Sequence, residues 1–192
     1  MHEPDKKADD GDGGGGDVSS QPDGPLITVP LSAIHRTASF LCQRNARIQT
    51  FMRQDCRRLE RLNFARVFVL PSRDDPAEIW GYYTLASNIV QREDMRASTH
   101  KQLLPSSAVP VAQIACIGRS DSAPKGLGGA LINDAAKRVA RSDIAHWGLA
   151  LTADNADLVK WFSTLGFYTA KTLPLFMYGP VKAFLPAVPR NE

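Results

Sequence analysis

An apolar run from Val109 to Ile117 leads through a polar turn into Lys125-Gly126-Leu127-Gly128-Gly129, where an apolar-periodic segment begins. Glycines at such a junction let backbone N–H groups crowd together at a helix start, where the helix dipole also favours negative charge. Lys125 adds a cation at the same point. These are the means to hold a phosphate or pyrophosphate. Two familiar phosphate patterns do not fit, however. The triphosphatase loop needs Gly-Lys followed by Ser or Thr, whereas here the lysine precedes the glycine. The dinucleotide fingerprint needs a third glycine where Leu131 stands. What remains is a glycine-opened helix that either binds an anion or packs tightly against a neighbour.

A second stretch, Asn155-Ala156-Asp157-Leu158-Val159-Lys160-Trp161-Phe162-Ser163-Thr164-Leu165-Gly166-Phe167, reads as a helix that ends at Gly166 and feeds a strand. With both segments in view, the chain resembles the GNAT N-acetyltransferase superfamily. Members of that superfamily pair a strand–R/Q-x-x-G-x-G/A–helix loop with a later asparagine-led helix that ends in Gly-Phe. Here Ala123-Pro124-Lys125-Gly126-Leu127-Gly128 answers to the first motif, and Asn155, Leu158, Trp161, Gly166 and Phe167 to the second, about 30 residues on. Gly81-Tyr82-Tyr83-Thr84-Leu85 and Val109-Pro110-Val111-Ala112 are similar to one branch of it, the toxin acetyltransferases of toxin–antitoxin pairs, which acetylate the amino group of aminoacyl-tRNA. The resemblance spans residues 26–184.

The resemblance implies acetyl-coenzyme A as co-substrate, with Lys125, Gly126, Leu127, Gly128 and Gly129 around its pyrophosphate. It implies that Ile117 and Arg119 meet the pantetheine arm through main-chain groups, and that Asn155 either meets it too or only caps its helix. The acceptor is then a primary amine, that of aminoacyl-tRNA under the branch resemblance. Implied partners are tRNA, a small antitoxin protein and a second copy of the chain as a homodimer. Two alternatives stay open: transfer to a protein or small-molecule amine, and a non-catalytic relative that binds coenzyme A. Two positions depart from the pattern. Ala123 stands where the loop has Arg or Gln, and Phe162 stands where the family's tyrosine protonates the departing thiolate. A phenyl ring has no proton to give. Ser163 or Tyr168 either replaces that hydroxyl or serves only in packing.

The elements that must position these residues follow from periodicity. Leu26 to Val29 reads as a short strand, and residues 32–62 as one or two amphipathic helices carrying Phe40, Ile48, Phe51, Met52, Leu59 and Leu62. Ala65 to Leu70 and Ile79 to Val90 form a hairpin of strands, followed by a short helix and loop over residues 91–108. Val109 to Ile117 is a strand, Gly126 to Arg141 a helix, His146 to Thr152 a strand, Asn155 to Leu165 a helix, and Phe167 to Phe184 one or two closing strands. The expected fold is α/β, a mixed and mostly antiparallel sheet of six or seven strands with helices on both faces. Its cleft should open where the strand ending near Ile117 splays from the one starting near His146.

Composition sets the remaining bounds. The 192 residues suit one domain, with residues 1–24 an acidic, Gly-rich, disordered tail and 25–192 the folded part. The tail holds seven acids against Lys6 and Lys7, a net of −5 that leaves +8 for the rest. Seven arginines lie between Arg44 and Arg66, either an RNA-facing surface or a solvated helix face. No apolar run is long enough to span a membrane, and the opening residues lack a secretory pattern, so the expected location is cytoplasmic. Cys42, Cys56 and Cys116 make neither a disulfide framework nor a zinc cage, and His35 and His100 have no metal-ligand spacing. Cys116 and His146 are expected in the core rather than as a nucleophilic pair.

Overall fold

Alternation along the strands sets the two faces of the sheet. In β2 (Arg66–Pro71), Val67 and Val69 point to one side and Phe68 and Leu70 to the other. In β3 (Ile79–Gln91), the neighbours Tyr82 and Tyr83 divide in the same way, both fully buried. Each face therefore needs its own cover. The computed structural model describes residues 26–185, apart from Gln102, Ser106 and Ser107, so the acidic tail of residues 1–24 lies outside the described residues.

Residues 46–61 supply the first cover. The turn begins at Asn45, whose side chain accepts the Ile48 N–H at 3.2 Å as a helix cap. α1 (Ala46–Thr50) passes through a π-helical turn, Phe51–Asp55, into α2 (Cys56–Arg61). Ile48, Met52 and Cys56, spaced by four, are buried against Val67, Val69 and Tyr82. The helical expectation from residue 32 was too generous: Thr37–Ser39 is one 3-10 turn, and Leu62 is half exposed. The opposite face is covered by α4 (Leu127–Ala140), which buries Leu131, Ala135 and Val139, and by α5 (Ala156–Thr164). Between the two covers in the chain, α3 (Ala97–His100) is the short helix of the 91–108 segment.

Among the described residues the sheet has eight strands, one or two more than expected. The others are β1 (Val29–Pro30), β4 (Ala108–Ile114), β5 (Ile117–Arg119), β6 (Gly148–Thr152), β7 (Tyr168–Thr169) and β8 (Phe176–Pro180). Their order is β1-β2-β3-β4-β6-β8-β7, with β5 pairing only with β3. The pairs are antiparallel except β4 with β6, whose parallel crossover contains α4. The extra strand arises because the apolar run of residues 109–117 breaks at Ala115-Cys116. There the Cys116 N–H donates to Thr84 Oγ1 and the Cys116 carbonyl accepts the Thr84 N–H, both at 2.9 Å.

Candidate active site

The break at Ala115-Cys116 opens the sheet. β4 and β6 pair from Val111–Gly148 to Ile114–Leu151; beyond that, β5 follows β3 while β6 stays with β8, and the two strands part. A cleft of about 590 Å³ fills the gap, walled by Ile117, Gly118 and Arg119 on one side and by the end of β6 and α5 on the other. The strands are those expected, and they part at the downstream end of β6 rather than at its start near His146.

Gly126, Leu127, Gly128 and Gly129 line this cleft. Gly126 has φ +85, a left-handed conformation that side chains disfavour, and it turns the chain into α4. No side chain caps α4, so its first N–H groups stay free for an anion. Gly128 is there for closeness: a Cβ would stand 2.8 Å from the Trp161 ring, which forms part of the cleft wall. Lys125 lies outside the cleft, in an adjoining pocket of about 350 Å³ with Arg44 and Asp121. Arg119 lines both cavities and braces the loop, donating to the carbonyls of Ser120 (3.0 Å) and Ala123. The loop thus has an arginine beside Ala123, supplied by β5.

The remaining expected residues divide. Phe162 lines the cleft and is otherwise buried against Phe167, ring centroids 5.7 Å apart. Asn155 does not line it; its Oδ1 accepts the Leu158 N–H at 2.9 Å, a helix cap. Ser163 and Tyr168 are not brought to the cleft either. The Ser163 hydroxyl is exposed and donates to Val159 O on its own helix at 2.8 Å. Tyr168 alternates to a separate cluster, its ring 4.3 Å from the Arg96 guanidinium and packed against Tyr178. Neither hydroxyl lines the cleft beside Phe162. Cys116 is buried, as expected, and lines the cleft. Burial chiefly pushes its thiol up to about 11, so it stays protonated. His146 is a correction, for it lies partly exposed before β6 in a different pocket.

Sequence reasoning missed the far end of the cleft, where Asn45, Arg47 and Asp154 meet. Arg47 ion-pairs with Asp154 Oδ1, and the Asn45 amide donates to Asp154 Oδ2 at 2.6 Å. More than a hundred residues separate the partners, so no local signal could join them. The arginine run also divides. Arg53 donates to Phe40 O at 2.7 Å, and Arg57 to Ser32 O and His35 O at 3.1 and 2.8 Å. Those side chains tie the chain together, while Arg44, Arg58, Arg61 and Arg66 remain as exposed charge. Among the described residues, no group of three His, Cys, Asp or Glu side chains could hold a metal ion.

No protein-family model matches this sequence, and no curated protein does. Solved structures do match. A tyrosine-to-phenylalanine mutant of KacT superposes with a TM-score of 0.74 at 21% identity, covering 84% of this chain and 98% of that one. AtaT complexed with acetyl-methionyl-tRNAfMet gives 0.73 at 20%, covering 82% and 96%. AtaTR bound with AcCoA gives 0.69 at 20%, covering 83% and 96%. The fold is theirs, the GNAT-like arrangement of mixed sheet and flanking helices.

Proposed function

We propose that this chain is an acetyl-coenzyme A-dependent N-acetyltransferase whose acceptor is the α-amino group of an aminoacyl-tRNA. The observation that carries the reading is the uncapped start of α4 behind Gly126, opening into a cleft that runs between diverging strands. A polyanion with an apolar arm fits there: pyrophosphate on the N–H groups of Lys125 to Gly129, beside the Arg119 and Lys125 charges, and the arm between β5 and β6. Among the fold's relatives, AtaT is complexed with acetyl-methionyl-tRNAfMet, which supports the acceptor. AtaTR is bound with AcCoA, which supports the donor.

In the reaction, the deprotonated amine attacks the thioester carbonyl, which main-chain donors of β5 steady as its oxygen gains charge. The tetrahedral species collapses to the amide and the coenzyme A thiolate. The Phe162 ring in the wall has no proton to hand that thiolate. None is required, because a thiol of pKa about 8.5 is already a good leaving group. All seven arginines between residues 44 and 66 are exposed, and Arg44, Arg58, Arg61 and Arg66 suit an RNA backbone. AtaT with the C-terminus of the antitoxin AtaR makes a small protein inhibitor a reasonable further partner. Three buried free cysteines, and no described helix long and apolar enough to cross a membrane, fit the cytoplasm.

Labelled acetyl-coenzyme A mixed with a fully charged tRNA pool tests the reading. Label in the aminoacyl group is expected. Label confined to proteins or small amines would reject the acceptor, and tight coenzyme A binding without any transfer would reject catalysis.

A further inference from the structure

The cleft passes through the sheet. One end meets the α4 loop and α5, and the other meets α1, where Asn45, Arg47 and Asp154 stand. Among the described residues, Asp154 is the one carboxylate of the cleft wall; the other charged side chains there are Arg47 and Arg119. A primary amine reaches such a site mostly as a cation, which those two arginines repel. Resting on the transferase reading above, we propose that Asp154 receives the acceptor amine as its ammonium ion and takes the first proton from it.

Three observations support this assignment. Asp154 is held in a fixed orientation: Arg47 engages Oδ1, Asn45 donates to Oδ2, and Asn45 is itself fixed by capping α1. A carboxylate offers about four acceptor sites, so one lone pair on each oxygen remains for an ammonium. The side chain is 30% exposed and Arg47 is 58% exposed, so the pair adds little to stability and stays open to a ligand. Finally, the competitors are disqualified. The Cys116 thiol, which senses both Arg47 and Asp154, is protonated at neutral pH, and Phe162 has no proton to exchange. On α5, Asp157 and Lys160 pair with each other outside the cleft.

The step balances. One ammonium proton passes to Asp154, and the freed nitrogen pair forms the C–N bond as the carbonyl π pair moves to oxygen. That pair returns, the C–S bond breaks, and its electrons stay on sulfur. The second nitrogen proton goes through water to the thiolate, and Asp154 releases the first to solvent. Amine cation and thioester become amide, coenzyme A thiol and one proton.

The test is kcat/KM for acetylation of aminoacyl-tRNA between pH 5.5 and 8.5, with acetyl-coenzyme A binding followed by Trp161 fluorescence. An α-amine has a pKa of about 7.7–8.0. In the wild type, the carboxylate–ammonium pair is the reacting state, so kcat/KM is expected to stay flat well below that value. Asp154→Asn must wait for the free amine and is expected to lose about tenfold per pH unit there, with acetyl-coenzyme A still bound. A wild-type profile that falls like a free amine would overturn the proposal, as would an Asp154→Asn profile identical to wild type. The wild-type profile decides the matter even if Asp154→Asn fails to fold. Active wild type with an unaffected Asp154→Asn removes only Asp154. Wild type that acetylates no charged tRNA removes the acceptor reading and this proposal with it.

Discussion

Phe162 puts a phenyl ring at the cleft beside the rings of Trp161 and Phe167, 4.8 and 5.7 Å away between centroids. Because thiolate leaves readily without help, a restored hydroxyl has a modest task. Phe162→Tyr is expected to raise the single-turnover rate by about tenfold, below the usual range for a full general acid. A rate that does not change would show that departure of the thiolate does not limit turnover. The glycines of the loop give a second, paired prediction. At Gly128 an added methyl meets the Trp161 ring at 2.8 Å, whereas at Gly129 the nearest atom is 4.0 Å away. Gly129→Ala should therefore gain up to about 1 kcal/mol of helix stability. Gly128→Ala should lose about 1–3 kcal/mol and displace the indole. Thermal melts of both variants, with Trp161 emission recorded, check the contrast.

At the scale of elements, the cleft depends on α1 lying close over β5. A Cβ at Gly118 would stand 2.2 Å from Ile48 Cγ2 and 3.1 Å from the Tyr82 ring, so Gly118→Ala must lift the helix or bend the strand. Loss of acetyl-coenzyme A affinity together with a lowered melting temperature is the expected result, measured by titration and scanning calorimetry. The arginines on this helical stretch should separate by what they hold. Arg57→Ala takes one of two donors from each of the Ser32 and His35 carbonyls and should destabilise the fold without changing the salt dependence of tRNA binding. Arg58→Ala and Arg61→Ala should leave the melting temperature alone and each reduce the salt slope of binding by up to about 1. Equal effects from all three would contradict the division.

For the whole molecule, His35 couples stability to pH. It is 3% exposed, its Nδ1 accepts the Ser32 N–H at 2.9 Å, and its Nε2 has no partner among the described residues. Burial holds its pKa below the usual 6.5. The folded state thus favours the neutral ring, while the unfolded chain takes up a proton near pH 6.5. Stability is full above that pH and is lost as pH falls through 6.5 toward the folded value. Melting temperatures between pH 7.5 and 5 should decline more steeply for wild type than for His35→Gln; parallel curves would refute the assignment.

What the sequence by itself determined was whatever depends on neighbours along the chain. The glycine-opened start of α4, its period and the stop at Gly166 are local matters of backbone conformation and spacing, and all were legible. The place of Tyr168 was not legible, because one residue of strand alternation decides which face a ring joins, and only pairing with β8 sets that register. The break at Ala115-Cys116 was invisible because both halves are equally apolar; a hydroxyl on β3, Thr84 Oγ1, holds it open. The arginines looked alike in composition and were sorted only by carbonyls 13 to 25 residues away. Asp154 and Arg47 became one unit only when the end of β6 and the start of α1 were folded onto the same cleft. A carboxylate gains a partner through space, and space is what the linear sequence leaves undecided.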